Sequence, residues 1–316
     1  MRLAFLGYGS IARQYARALL ALNGLDVQLA SVMGRVKESA DEFAAEFGIP
    51  RSTTSLDDVL HDEAVDAVVI TSPSELHADQ TALCLSAGKH VLCEIPLATS
   101  LGDVDRLIEL ADRTDRRLMV CHTQRYYPAL LEARRQIARG GLTPYSIVSR
   151  YMFQRRANVN WVGRQRSWTD NLLWHHGCHA VDAALWLLGA TAADVQAQIA
   201  RPSGPLGIPM DLAIALRTPA DQIVSVAMSY NTHVAPHDYV IIGEERTLIF
   251  SEGELRSNEG VLVEKRSQTD LNEPIMHQDA EFLSAVLEQR EPAVSGRSVR
   301  PAMAVLQAVQ ERLARD

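Results

Sequence analysis

The segment RSWTDNLLWHHGCHAVD, Arg166 to Asp182, concentrates three histidines, two tryptophans and two aspartates in seventeen residues. Imidazole is the side chain whose ordinary pKa lies closest to neutral pH, so such a cluster points to proton transfer, to a metal, or simply to polar packing within a buried helix. At α-helical spacing His175 and His179 are four residues apart and His176 and His179 three, so all three share a face, with Asp182 one turn further on. That geometry suits a general base. Asp182 could fix the tautomer of a histidine on that face, leaving its other nitrogen free to take a proton, and the remaining imidazoles of the cluster could relay it or bind a carboxylate when protonated. The spacing matches no standard zinc signature, so no metal is expected. Trp174 and Trp186 read as packing residues.

Immediately upstream, Arg150, Arg155, Arg156, Arg164 and Arg166 fall within seventeen residues that contain no Asp or Glu. The run leads straight into the histidines and marks a place for an anion, with Arg155 and Arg156 expected at the surface.

A second chemical signal stands at the N-terminus. Gly7-x-Gly9-x-x-Ala12 follows the apolar run RLAFL and opens the amphipathic stretch SIARQYARALLA, the order strand, glycine turn, helix. Gly7 permits the tight turn, Gly9 lets backbone approach a pyrophosphate, and Ala12 is small enough for close packing of helix on strand. The backbone N–H groups of Ser10 and Ile11, at the start of the helix, would face the phosphates. At the end of the second strand, where Asp or Glu would bind the ribose hydroxyls of NAD, the chain reads SVMGRVKE. Without an acid and with Arg35 and Lys37 close by, NADP is the expected cofactor, NAD being the alternative. Thr71, Pro73 and His77, and Glu94 with Pro96, follow later strand ends in the same layer and are expected beside the cofactor.

The elements needed to position these groups are legible. VQLASVM, DAVVITS, KHVLCEIP and RLMVCH read as strands, alternating with helices VKESADEFAAEFG, SLDDVLHD, ELHADQTALCLSAG and LGDVDRLIELADRT. Strand–helix alternation makes a doubly wound parallel sheet, the Rossmann arrangement, over residues 1–122. From 123 to 316 the texture changes to α+β. One helix, ALLEARRQIARGG, is followed by strand-like runs with few helices between them, which predict an open, mostly antiparallel sheet. Two closing helices end the chain, the last of them able to pack back on the first domain. A chain of 316 residues with 47% hydrophobic and 22% charged residues suits two ordinary cores. Cysteines without C-x-x-C spacing and an N-terminus without a signal-peptide layout predict a cytoplasmic protein. A formal charge of -8 and the absence of a long apolar run argue against nucleic-acid and membrane partners.

Four motifs together resemble the GFO/IDH/MocA family of NAD(P)-dependent oxidoreductases: the glycine turn, VVITSPSELHADQ, GKHVLCEIPLA and GCHAVDAALWLLG. The resemblance implies a catalytic role for His179 and an open sheet that pairs copies into a homodimer or homotetramer. Two departures stand out. Where the family has E-K-P the chain has Glu94-Ile95-Pro96, and where it has Asp four residues before the catalytic histidine the chain has His175. A narrower branch shares EIPLA and RSWTD-x-LLWHH-x-x-H-x-VD, although Gln124 replaces one of two arginines in that branch. It implies NADP-dependent oxidation of the cyclic hemiacetal of 4-carboxy-2-hydroxymuconate-6-semialdehyde to 2-pyrone-4,6-dicarboxylate, in protocatechuate 4,5-cleavage. A small dicarboxylate needs two cationic sites, for which Arg125 and Arg166 are the expected clamps, backed by Arg164, Trp168, Thr169 and Asn171. Oxidation of sugars, polyols or dihydrodiols, and a non-catalytic NADP sensor, are the alternative readings.

Overall fold

Short apolar runs bounded by turn residues form the strands, and amphipathic runs of ten or more form most of the helices covering them. The computed structural model describes residues 1–22, 24, 26–159, 163, 165, 171–265 and 272–313. It divides into two units, Met1–Thr123 with Leu271–Arg300, and Gln124–Asp270 with Pro301–Asp316.

In the first unit β1 (Arg2–Leu6), α1 (Ser10–Ala21), β2 (Gln28–Met33), α2 (Lys37–Phe47), β3 (Ser52–Thr53), α3 (Leu56–Leu60), β4 (Ala67–Ile70), α4 (His77–Ser86), β5 (His90–Cys93), α5 (Leu101–Thr114) and β6 (Leu118–Val120) follow in order. The strands pair in parallel as β3-β2-β1-β4-β5-β6. Every residue of β4 and β6 is buried, because helices cover both faces of a parallel sheet and leave no strand position for water. The strand order reverses between β1 and β4, so the crevice outside their carboxyl ends is where an open α/β sheet binds its ligand. The two-residue β3 has no apolar pattern and was not foreseen.

The second unit contains α6 (Pro128–Ala138), β7 (Pro144–Met152), α7 (Cys178–Leu188), β8 (Asp194–Ile199), β9 (Asp211–Arg217), β10 (Ile223–Ser229), β11 (His237–Gly243), β12 (Thr247–Ser251), β13 (Glu254–Ser257) and β14 (Gly260–Val263). Their order in the sheet is β14-β13-β12-β11-β7-β10-β9-β8, antiparallel throughout except for the parallel pair β7–β10. Strict alternation, as in Leu212, Ile214 and Leu216 of β9 and Val224, Val226 and Met228 of β10, buries one face, and α7 packs on β7 and β10.

The chain then returns. α8 (Asn272–Leu287) packs on α1 of the first unit, burying Ile275, Phe282 and Leu283, and α9 (Gly296–Leu313) belongs to the first unit up to Arg300. The boundary thus differs from a single split after residue 122, since apolar stripes on a helix do not say which core they cover. Among the described residues no helix is long and apolar enough to cross a membrane.

Candidate active site

β1 ends at Leu6 and the chain turns at Gly7, whose φ is +112°. A Cβ there would lie 2.7 Å from the backbone carbon and oxygen of Thr71, which cannot move aside, so only glycine fits. The Gly7 N–H donates to the Met33 carbonyl at 2.9 Å, while Thr71 donates its N–H to the Leu6 carbonyl at 2.8 Å and its hydroxyl to the same oxygen at 3.2 Å. Gly9 caps α1 without a side-chain hydrogen bond, is exposed, and would meet nothing within 4 Å if given a Cβ. Ser10 and Ile11 begin the helix, and Ala12 is fully buried against the sheet. A sharp turn and an uncapped helix N-terminus beside open backbone fit the pyrophosphate of a dinucleotide.

At the carboxyl end of β2 the Tyr8 ring covers Gly34, where a Cβ would come 1.9 Å from Cε1, and the Val36 N–H donates to the Tyr8 hydroxyl at 3.3 Å. Nothing in the sequence singled Tyr8 out. Arg35 follows, exposed and without an ion pair among the described residues, whereas Lys37 is engaged by Asp41 and by the Ser52 hydroxyl. Of the two cations, Arg35 is the one available to a 2′-phosphate.

Pro73 sits half-buried ahead of His77. His77 itself is 1% exposed, with Nδ1 2.8 Å from the Pro96 carbonyl and Nε2 2.9 Å from the Ser72 carbonyl. It ties two cofactor-side loops together, a correction to its expected contact with the cofactor. Glu94 accepts a hydrogen bond from the Tyr15 hydroxyl and one from the Ile95 N–H at 2.7 Å. Burial pushes its carboxyl up to about 7, against the lowering effect of those two donors. Behind it lies Asp279 of α8, fully buried, its carboxyl raised chiefly by burial and partly by Glu94. Ile95, at the place where the family pattern has lysine, is 7% exposed and purely aliphatic.

In the second unit the histidine segment opens as a π-helical turn, Leu173–Gly177, that runs into α7. The wider turn changes which side chains meet: His175 and His176, adjacent in sequence, have ring centroids 4.0 Å apart. Asn171 caps this turn, its side-chain oxygen accepting from the Trp174 N–H at 2.8 Å and its carbonyl from the His175 N–H at 3.1 Å. It is a capping residue, and it is exposed. Trp174 packs as expected, 4% exposed, its indole N–H donating to Gln310.

His176 is 7% exposed, walled by Tyr151 and Phe153 at 4.6 and 5.0 Å, with Nδ1 2.7 Å from the Tyr230 hydroxyl. Burial, followed by the neighbouring His175, His179, Arg155 and His237, holds its pKa well below the ordinary value. A neutral ring does not bind a carboxylate by charge. His237, 4.4 Å from Tyr151, is likewise pushed down to about 4 by burial. His179 is the second residue of α7 and is half-buried.

Arg125 and Asp182 form a fork. Nε and Nη2 donate to Oδ2 and Oδ1 at 2.8 and 2.5 Å, and the side chains are 7% and 2% exposed. The expected clamp is therefore committed to the expected histidine-holder, because a buried carboxylate on an apolar helix demands a countercharge. Neighbouring Gln124 is buried and accepts from the Tyr239 hydroxyl at 2.6 Å. Arg155, expected at the surface, is 7% exposed with its guanidinium 5.2 Å from the Tyr230 ring centroid, whereas Arg156 is exposed as expected and bonds Asn231. Arg150 pairs with Asp238. Arg164, Arg166, Trp168 and Thr169 lie outside the described residues. Among the described residues no three His, Cys, Asp or Glu side chains converge as metal ligands.

Sequence reasoning missed Tyr15, Tyr151, Phe153, Tyr230 and Tyr239. Strand alternation carried part of the signal, since Tyr151 shares the inward parity of Ile147 and Ser149 on β7. Which helix residue an inward tyrosine meets depends on how helix and sheet pack.

Residues 1–122 match the model of an oxidoreductase family with an NAD-binding Rossmann fold, GFO_IDH_MocA, and residues 128–266 match the model described as bacterial oxidoreductases, C-terminal. The chain is 33% identical over 99% of both chains to 4-carboxy-2-hydroxymuconate-6-semialdehyde dehydrogenase of a Sphingobium strain. It is 25% identical to an NADP-type scyllo-inositol 2-dehydrogenase of Bacillus subtilis, over 92% of this chain and 89% of that one. Among solved structures, levoglucosan dehydrogenase in complex with NADH superposes with a TM-score of 0.87 at 20% identity, over 100% of this chain and 97% of that chain.

Proposed function

The chain belongs to the GFO/IDH/MocA oxidoreductase family and is an NAD(P)-dependent dehydrogenase, and from that premise we propose that it oxidises the cyclic hemiacetal of 4-carboxy-2-hydroxymuconate-6-semialdehyde to 2-pyrone-4,6-dicarboxylate with NADP. The observation that carries this reading is the 33% identity running through 99% of both chains to a dehydrogenase named for that semialdehyde. The Ile95 and His175 positions agree with it, since both belong to the motifs shared with that branch, EIPLA and LLWHH.

A bound nicotinamide would supply the acceptor for the hydride, the hydrogen that must leave the hemiacetal carbon with its electron pair. The protein's task is the accompanying proton. His179 takes it from the hydroxyl as the C=O of the lactone forms, and α7 holds His179 in place through the buried Arg125–Asp182 fork one turn further on. His176 contributes as a neutral ring, and His175 stacks against it. Gly7, Gly9, Ser10 and Ile11 would hold the pyrophosphate, and Arg35 the 2′-phosphate. Glu94, bonded to Tyr15, fixes the loop of Ile95 and Pro96 on the cofactor side. Arg164 and Arg166 bind the carboxylates. We further propose a cytoplasmic protein that assembles through copies of itself.

The test is NADP reduction, read by absorbance, with enzymatically ring-opened protocatechuate as substrate, alongside scyllo-inositol and levoglucosan. Turnover of the ring-opened compound alone supports the reading. Turnover of either polyol or sugar, with none of the semialdehyde, replaces it with a carbohydrate dehydrogenase.

A further inference from the structure

Tyr230 follows β10 and is fully buried. Its hydroxyl lies 2.7 Å from His176 Nδ1, with the two rings nearly perpendicular at 89°. On the phenol's face lies the Arg155 guanidinium, 5.2 Å from the ring centroid, while Arg155 Nη2 donates to the Asn158 side-chain oxygen at 3.1 Å and its backbone N–H to the Tyr230 carbonyl at 3.0 Å. The tyrosine is thus held between a cation and an imidazole.

A hydrogen bond between a phenol and a ring nitrogen can run either way, and the direction decides the tautomer. A guanidinium over the ring draws electron density from it, which makes the O–H a better donor and the oxygen a poorer acceptor. That favours a bond running from the Tyr230 O–H to His176 Nδ1. We propose that Tyr230, braced by Arg155, is a positioning residue that locks His176 in the Nε2–H tautomer and makes it a fixed hydrogen-bond donor, not a second base. Its Nδ1 lone pair is engaged by Tyr230 and its Nε2 carries the proton, so His176 could accept a further proton only as a buried imidazolium. The groups that face it, His175, His179, His237 and Arg155, all oppose that cation. The inference rests on the reading of this segment as the proton-transfer site, and it assigns the base role to His179 and a donor role to His176.

The experiment is nitrogen-15 NMR of the full chain labelled at histidine, with the His176 resonances identified by their loss in His176→Gln. In the wild type, His176 should show a protonated Nε2 and a hydrogen-bonded, unprotonated Nδ1, unchanged from about pH 6 to about pH 9. Tyr230→Phe should shift Nδ1 and bring in the other tautomer. Arg155→Met should shift it in the same sense, and Arg155→Lys, which keeps the cation, should restore most of the wild-type signal. A wild-type His176 protonated at Nδ1, or protonated at both nitrogens near neutral pH, overturns the proposal, and that measurement needs no variant to fold. So does a Tyr230→Phe protein whose His176 signals have not moved. Kinetics separate this from the functional reading: Tyr230→Phe should lower kcat about tenfold with the KM for NADP unchanged. An altered tautomer with an intact kcat keeps the tautomer assignment and overturns the proton-transfer reading of the segment.

Discussion

Removing the Arg125 guanidinium while leaving Asp182 in place should destabilise the second unit severely. The carboxylate is 2% exposed and receives two guanidinium hydrogen bonds, at 2.8 and 2.5 Å, from a side chain that is itself 7% exposed. With charge centres about 4 Å apart and an effective dielectric constant of about 20, the attraction is about 4 kcal/mol. Breaking one side of such a buried pair costs about 3–5 kcal/mol, because the surviving charge loses its partner without regaining water. At about 2–4 °C per kcal/mol for a body of this size, Arg125→Met should lower Tm by roughly 10 °C. Arg125→Met combined with Asp182→Leu removes both charges and should recover more than half of that loss, a coupling that thermal and urea unfolding of the four proteins would measure. Two results would refute the reasoning: single variants that each lose less than about 1 kcal/mol, or losses that add within about 0.5 kcal/mol. The same proteins distinguish a scaffold from a clamp. Arg125→Lys should disturb stability and kcat while leaving the KM for the dicarboxylate within about threefold; a large rise in KM at unchanged Tm would return Arg125 to the substrate.

Further outcomes follow from the geometry. Gly9→Ala, whose Cβ would meet nothing within 4 Å, should keep the wild-type Tm but weaken dinucleotide binding at least about tenfold by calorimetry, whereas Gly7→Ala, at φ +112° against the Thr71 backbone, should lose about 2–3 kcal/mol or fail to fold. Arg35→Ala should raise the KM for NADP about tenfold and leave that for NAD nearly unchanged, and equal effects on both would remove Arg35 from the 2′-phosphate. Glu94 has a folded pKa raised to about 7, so the stability it contributes is present below its ordinary range and is lost as pH rises through about 7; Glu94→Gln should therefore have a Tm that falls less than the wild type's between about pH 5 and about pH 8, and parallel curves would count against the buried, protonated carboxyl. Asp279 is raised in the same direction, so Asp279→Asn should stabilise the protein more at about pH 8 than at about pH 5, as read by thermal unfolding in the two buffers.

The first unit was legible because its signals are local. Gly7 and Gly9 are dictated by a turn and a helix start that occupy consecutive residues, and each buried parallel strand is a continuous apolar run. Alternation likewise announced the open sheet of the second unit, although not β13, whose few residues carry no pattern, as those of β3 carry none in the first unit. The histidine segment was legible as a cluster, and helical spacing set His176 near His179, but it did not show the ring contact between His175 and His176. Helical periodicity assumes the same step at every residue, and the π-turn at Leu173–Gly177 breaks it, bringing His175 and His176 together.

Charge partners were where sequence reasoning failed, for a reason that is general. Spacing along a helix can set Asp182 near His179, but the countercharge for a buried carboxylate comes from wherever the packed interior offers one, here Arg125, 57 residues away. Arg155 read as surface because composition averages a run of arginines into one solvated patch, while the fold turned one of them inward over Tyr230. The sequence by itself determined the two architectures, the dinucleotide turn and the presence of a histidine cluster, since these depend on residue type and short-range order. Only the tertiary structure decided which histidine is neutral, which arginine is consumed internally and which tyrosine holds His176, because burial and countercharge are properties of side chains brought together from distant positions.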